Sequence, residues 1–216
     1  MYERKGLFIV LEGMEGSGKT TQIKIAEKLM RSWGYEVVTV REPGGTELGE
    51  QLRKLLLAAP LEVRPTPVAE MLLLQASRSQ LTDTVVKPAL NEGYCVISDR
   101  YTLSTYAYQG SGRGWSVAAI KTFGYLVHPI TPDLTLVFDL PAQLSMQRVA
   151  ARGNPDRIES EGLDFFERVR RGYHDYAAQH SSRVKLIDAS KDASAVSKAV
   201  YRALHGFVRK YESALE

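Results

Sequence analysis

Five short apolar runs punctuate the chain: 7–12 (LFIVLE), 36–40 (EVVTV), 94–98 (YCVIS), 133–138 (DLTLVF) and 183–187 (RVKLI). They are rich in β-branched residues and almost continuously apolar, as strands buried on both faces are. Amphipathic stretches of helical length lie between and beyond them, at 20–33, 47–58, 67–92, 116–127, 141–151, 162–179 and 192–214. Pro141 suits a first helical turn. Pro88 falls inside the third stretch and predicts a kink or interruption there. The alternation predicts one α/β domain: a five-stranded parallel sheet with helices on both faces. Such sheets bind ligands beyond the carboxyl ends of their strands. Chemically loaded residues should therefore follow the strands directly. GMEGSGKTT follows the first, REPGGT the second, DRY the third and DLP the fourth.

The chain has 216 residues, enough for one such domain, and no repeat, low-complexity tract or linker divides it. Lys plus Arg is 28 and Asp plus Glu is 25, a net charge of +3. That balance argues against a nucleic-acid platform but leaves room for local basic residues around a small anion. The single cysteine, Cys95, sits in an apolar run and reads as a buried thiol in a reducing compartment. The run LFIVL is too short for a signal core or a membrane span, so the cytoplasm is expected, with no membrane partner.

The segment Gly13-Met14-Glu15-Gly16-Ser17-Gly18-Lys19-Thr20-Thr21 fits the Walker A pattern GxxxxGK[ST]. It has the required context, a strand before and a helix after. Its glycines let backbone N–H groups wrap phosphate oxygens, and the helix adds its positive end. Lys19 is expected on the β and γ phosphates of ATP, and the Thr20 hydroxyl on Mg²⁺. Asp99, ending the third strand, reads as a second metal-side acid. The motif alone does not separate a switch, a motor and a kinase. No Asn-Lys-x-Asp guanine reader occurs late in the chain, and the length fits a small-molecule kinase.

A kinase needs an acceptor site. Arg41, Arg53, Arg78 and Arg100 all fall on segments that should converge on the strand ends, and arginine's planar fork suits phosphate. Any one could be an ordinary exposed arginine, but Arg100 directly follows a buried-type strand. Glu42, after the second strand, is either a site acid or a solvated loop acid. Glu15 would repel a triphosphate unless it turns toward another group, such as a sugar hydroxyl. Tyr108 to Gly114 (YQGSGRG) reads as a loop walling a base and sugar. Arg148, Arg152 and Arg157, around GNPDR, read as a basic lid over about 148–161 that closes to exclude water.

Together these motifs resemble bacterial thymidylate kinases. The matching segments are EGMEGSGKTT, VREPGGT, LRKLLL, Ser77-Arg78, ISDRY, STYAYQG, TPDLTLVFDL and RGNPDRIE followed by DFFERVRRGY. They run from about residue 6 to about 188. REPGGT, DRY and YQG at these spacings are specific, whereas the phosphate loop is shared by many NTPases. The resemblance implies Mg²⁺-dependent transfer from ATP to dTMP, giving dTDP for dTTP synthesis, by a homodimer. It implies Glu15 near the 3′-hydroxyl, Glu42 near acceptor and metal, Arg53 and Arg100 on the dTMP phosphate, and Arg78 on thymine O4. It also implies Thr105 and Gln109 on the base, and Tyr108 crowding the 2′ position. Where the phosphate loop lacks an arginine, as here, the lid supplies it, from Arg152 or Arg157. One departure stands out. The family usually has Phe or Tyr four residues before the base-reading arginine, and this chain has Leu74. Loss of aromatic stacking, on the order of 1 kcal/mol, predicts a raised KM for dTMP.

The acceptor phosphate is already largely ionised near neutral pH, its second pKa being about 6. Catalysis then needs positioning and charge compensation more than a general base. Three other readings fit parts of the sequence: a kinase of a different nucleoside monophosphate, an ATP-binding module without turnover, and a nucleic-acid-end kinase, to which the near-neutral charge balance gives little support.

Overall fold

The computed structural model describes residues 6–58, 64–127 and 129–213. Five strands form one sheet: β1 (Phe8–Gly13), β2 (Val37–Arg41), β3 (Cys95–Asp99), β4 (Leu134–Asp139) and β5 (Val184–Asp188). Their order is β2-β3-β1-β4-β5, and every pairing is parallel. Each strand starts and ends one residue later than the hydrophobic pattern predicts. The reason is that ladder pairing continues through the polar residue at each end: Arg41 pairs with Asp99 and Asp139 with Asp188. Hydrophobicity marks where a strand is buried, and backbone pairing sets where it stops.

Burial also corrects the expectation of five strands covered on both faces. β1 is fully buried, and β3 and β4 are buried up to their final aspartates. β2 and β5, the two edge strands of the sheet, are only partly buried. In β1, Ile9 and Leu11 pack with Ala26, Met30, Val200 and Leu204 on one face. Phe8 and Val10 pack with Leu81, Val86 and Leu90 on the other. Both parities are apolar because helices cover both faces, which is why the strand reads as a continuous run.

The helices are α1 (Lys19–Ser32), α2 (Glu47–Leu57), α3 (Pro67–Leu81), α4 (Lys87–Asn91), the single turn α5 (Thr102–Ser104), α6 (Val117–Val127), α7 (Ala142–Arg152), α8 (Leu163–Gln179) and α9 (Ala193–Glu212). Residue 214, the expected end of the last helix, lies outside the described residues. The 67–92 stretch is not broken at Pro88. A π-helical turn, Thr82–Val86, joins α3 to α4, with the Lys87 N–H reaching the Thr82 carbonyl. The wider turn re-spaces the backbone just before the residue that has no N–H to give.

A second correction concerns Tyr108 to Gly114, expected as a loop: all but its last two residues belong to a helix that begins at Thr105. It is a π-helix, Thr105–Gly112, packed along α8. Gly172 permits this contact, since a Cβ there would lie 2.3 Å from Ser111 Oγ. Met14, Tyr108, Phe165, Phe166, Val169 and Tyr173 form the core between the π-helix, α8 and the phosphate loop. Fully burying one such phenylalanine contributes about 1.5–3 kcal/mol.

Candidate active site

β1 lies between β3 and β4, and successive crossovers leave toward opposite edges, so a crevice opens at its carboxyl end. There lies a cleft of about 870 Å³. Its walls include Glu15, Gly16, Ser17, Gly18, Lys19 and Thr20 from the phosphate loop, and Arg41, Glu42 and Arg53 from the β2–α2 region. Leu74 and Arg78 of α3, Asp99 and Arg100 after β3, Thr105, Tyr108 and Gln109 of the π-helix, and Arg152 complete the set. Gly13, Met14, Thr21 and Arg157 do not line it. Met14 is buried in the core, so only its backbone belongs to the loop.

The phosphate loop is closed by its own side chains. Lys19 Nζ donates to the carbonyls of Gly13 (2.7 Å) and Met14 (2.9 Å), and Ser17 Oγ donates to Met14 O (2.6 Å). Ser145 Oγ and Arg148 Nη1 bind the carbonyls of Glu15 and Gly16 from α7. Lys19 is 8% exposed. Burial, with repulsion from Arg100, pulls its ammonium down to about 8, against attraction from Asp99 and Glu15.

Glu15 turns away from the loop. It pairs with Arg100 Nη2 and accepts from Tyr108 OH (2.7 Å). Burial pushes its carboxyl up, but Arg100 and Lys19 hold it below the usual range. Arg100 itself has a left-handed backbone, φ 68. Such a conformation costs a non-glycine residue on the order of 1–3 kcal/mol and needs support. Ser98 Oγ donates to its carbonyl at 2.6 Å, and Glu12 Oε1 accepts from the next N–H, that of Tyr101, at 2.8 Å. Glu12 also accepts from Ser104 and Tyr173. It is fully buried, and burial raises its carboxyl above the ordinary value. The guanidinium of Arg100 then reaches Ser104 Oγ, Tyr173 OH and Tyr108 OH at 3.1–3.2 Å, lying 5.0 Å over the Tyr108 ring.

Glu42 is buried, not a solvated loop acid. It pairs with Arg78 at 2.7 Å, and both side chains are 4% exposed. Arg78 also donates to Thr105 Oγ1 (3.0 Å) and Tyr101 O (3.1 Å). Removing one partner of such a pair costs about 3–5 kcal/mol, because the other charge stays buried. Arg53 Nη1 donates to Pro43 O, while Arg41 pairs with Glu50 at the exposed edge. Glu42 Oε1 and Asp99 Oδ1 are buried with no hydrogen-bond donor.

The segment expected as a lid, about 148–161, comprises the last turn of α7 and the connection to α8. Arg152 pairs with Glu159, whose carboxylate also accepts from Asp156 N. Arg157 is occupied elsewhere. It donates to Leu56 O at 2.8 Å and pairs with Glu70. Sequence reasoning gave no role to Glu12, Glu70, Ser104, Arg113, Glu159 or Tyr173. Glu70 carried a usable signal, an acid at helical spacing on the same face as Leu74 and Arg78. Glu12, Ser104, Arg113 and Tyr173 act across long separations that no local pattern reports, while Glu159 acts within its own turn, on Arg152 and Asp156.

A family profile described as thymidylate kinase matches residues 11–200. The chain is 47% identical over 206 residues to a thymidylate kinase of Pseudomonas entomophila (strain L48), spanning 95% of this chain and 98% of that one. It is 42% identical over 201 residues to a thymidylate kinase of Deinococcus radiodurans, spanning 93% and 97%. Among solved structures, the thymidylate kinase from Ehrlichia chaffeensis superposes with a TM-score of 0.74 at 34% identity, covering 93% of this chain and 98% of that one. On fold, motif order and sequence alike, the chain belongs to the thymidylate kinase family.

Proposed function

We propose that the chain acts as one P-loop kinase domain that moves the γ-phosphoryl group of Mg-ATP to dTMP, releasing ADP and dTDP. One observation carries this reading. A phosphate loop and a set of oriented arginines face each other across a single cleft. The loop from Gly13 to Thr21 would hold the triphosphate through its amides, with Lys19 leaving its loop carbonyls for the β and γ phosphates. Arg53 and Arg100 would grip the acceptor phosphate. Arg78 and Thr105, already bonded to each other, and Gln109 would face the base, with Leu74 against its flat side. Tyr108 and Glu15 would bound the sugar.

Glu42 Oε1 and Asp99 Oδ1 are buried acceptors without donors beside the cleft, where Thr20 also lies. A hard cation binding through few carboxylates plus substrate phosphates fits that donor set. These groups and the Thr20 hydroxyl would hold Mg²⁺, which supplies charge compensation for the triphosphate. The lid, about 148–161, would close over the donor phosphates and exclude water. Arg152 lines the cleft and Arg157 does not, so we assign the phosphoryl-facing role to Arg152.

Exposed Leu48, Leu55, Val68, Leu72, Tyr125 and Leu126 lie on α2, α3 and α6, with α3 touching both of the others. A second copy covering this face would give a homodimer. Among the described residues no helix is long and apolar enough to cross a membrane. We place the enzyme in the cytoplasm, with no nucleic-acid partner.

The test is coupled ADP release with Mg-ATP and dTMP, dUMP, UMP, dGMP or AMP as acceptor. The expected outcome is turnover dominated by dTMP. Preference for another monophosphate overturns the base assignments, and no acceptor-stimulated release overturns the kinase reading.

A further inference from the structure

Glu70 is a carboxylate 2% exposed on α3. Oε1 accepts from Gln109 Nε2 (2.9 Å) and Arg113 Nε (2.9 Å), and Oε2 accepts from Arg157. One buried group thus joins a wall of the cleft to the lid. An ionised carboxylate can only accept, so it also fixes the NH₂ end of the Gln109 amide toward it.

Among the described residues the lid makes a few other polar ties to the acceptor side. Arg157 donates to the Leu56 and Leu57 carbonyls at the end of α2, and Glu161 pairs with Arg113 at 3.1 Å. Within itself the lid is cross-bonded. Asp156 Oδ1 accepts from the Ile158 and Glu159 N–H groups, and Glu159 holds Arg152. Hydrogen bonds therefore run from Gln109 through Glu70 to Arg157, and two residues further along the same turn Glu159 holds Arg152. Gly153 (φ 77) and Gly162 bracket the segment.

We propose that Glu70 is a positioning residue that couples occupation of the acceptor cleft to closure of the lid. The inference rests on the acceptor reading above. A nucleoside against Gln109 holds that amide, and with it Glu70, in the arrangement that docks Arg157. Docking Arg157 brings the lid turn and Arg152 over the donor side. Phosphoryl transfer is thereby favoured only when an acceptor is present.

The test is hydrogen exchange of residues 153–161 with and without dTMP, alongside dTMP affinity and kcat, in the wild-type chain, Glu70→Gln, Arg157→Gln and the double variant. In the wild type, dTMP should slow lid exchange. In Glu70→Gln that response should vanish and kcat should fall about tenfold, while dTMP affinity stays within about threefold. Arg157→Gln leaves α3 intact and should lose the same response, so the result does not depend on Glu70→Gln folding well. The double variant should be no worse than either single one, as for residues acting as a unit. Persistent dTMP-dependent protection in Glu70→Gln, or losses that multiply in the double variant, overturns the proposal. Absence of dTMP binding to the wild type overturns the acceptor assignment and this inference with it.

Discussion

The two halves of the cleft are built differently. The phosphate loop is one continuous segment whose working groups are backbone amides and one lysine, itself parked on two loop carbonyls. The acceptor half is assembled from side chains of β1, the β2–α2 turn, α3, the DRY turn and the π-helix. Nearly every one is already bonded to another: Arg78 to Glu42 and Thr105, Arg100 to Glu15 and Tyr108. The donor half is generic and adaptable. The acceptor half is preorganised, its ordering already achieved on folding, so binding there loses less side-chain freedom.

The largest expected effects test that division. Lys19→Ala and Arg100→Ala should each lower kcat/KM by at least a hundredfold, on opposite substrates. Lys19→Ala should spare dTMP affinity, and Arg100→Ala should spare that of ATP. Isothermal titration of each ligand with each variant checks this, and near-normal turnover by either variant breaks the assignment. If Arg100→Ala weakens both ligands equally, the halves are one network.

A smaller effect separates the halves by pH. Free Lys19 titrates at about 8, below its ordinary 10.5, chiefly because it is buried. A bound triphosphate favours the charged form and raises that value. ATP affinity should therefore be full below pH 8 and decline as pH rises through 8, with proton uptake on binding near pH 8–9. The unliganded fold has the opposite dependence. Its unfolded state binds the extra proton between pH 8 and 10.5, so its stability rises across that window. ATP titrations at pH 7 and 9, each in two buffers of different ionisation heat, measure both affinity and uptake. Affinity unchanged across that range would remove Lys19 from the triphosphate.

The smallest effect concerns Leu74, which lines the cleft one turn before Arg78. Leu74→Phe should restore about 1 kcal/mol of stacking and lower the dTMP KM about fivefold, with kcat little changed. An unmoved KM would mean that residue 74 does not meet the base.

The contrast also explains what could be read from sequence. The β-α alternation and both buried faces of β1 were legible, because burial imposes periodicity on composition. The phosphate loop was legible because its geometry is local. The two π-helical segments were not, since i→i+5 bonding has no composition of its own. The glycines of YQGSGRG placed Tyr108 to Gly114 in a loop, where Gly112 and Gly172 instead let the π-helix and α8 pack closely.

The acceptor arginines were visible as residue types at strand ends, but their partners were not. Glu42 read equally well as a solvated acid, and only folding shows it buried against Arg78, 36 residues away. Arg152 and Arg157 were indistinguishable in RGNPDR. Their separation follows from Glu70, 87 residues before Arg157, being desolvated and in need of donors. Sequence by itself determined the sheet, its helices and the phosphate loop, because periodicity and short-range backbone geometry are written in neighbouring residues. Tertiary structure alone decided which buried charge faces which, because a carboxylate out of water must be satisfied by whatever donors the fold brings to it, however distant along the chain.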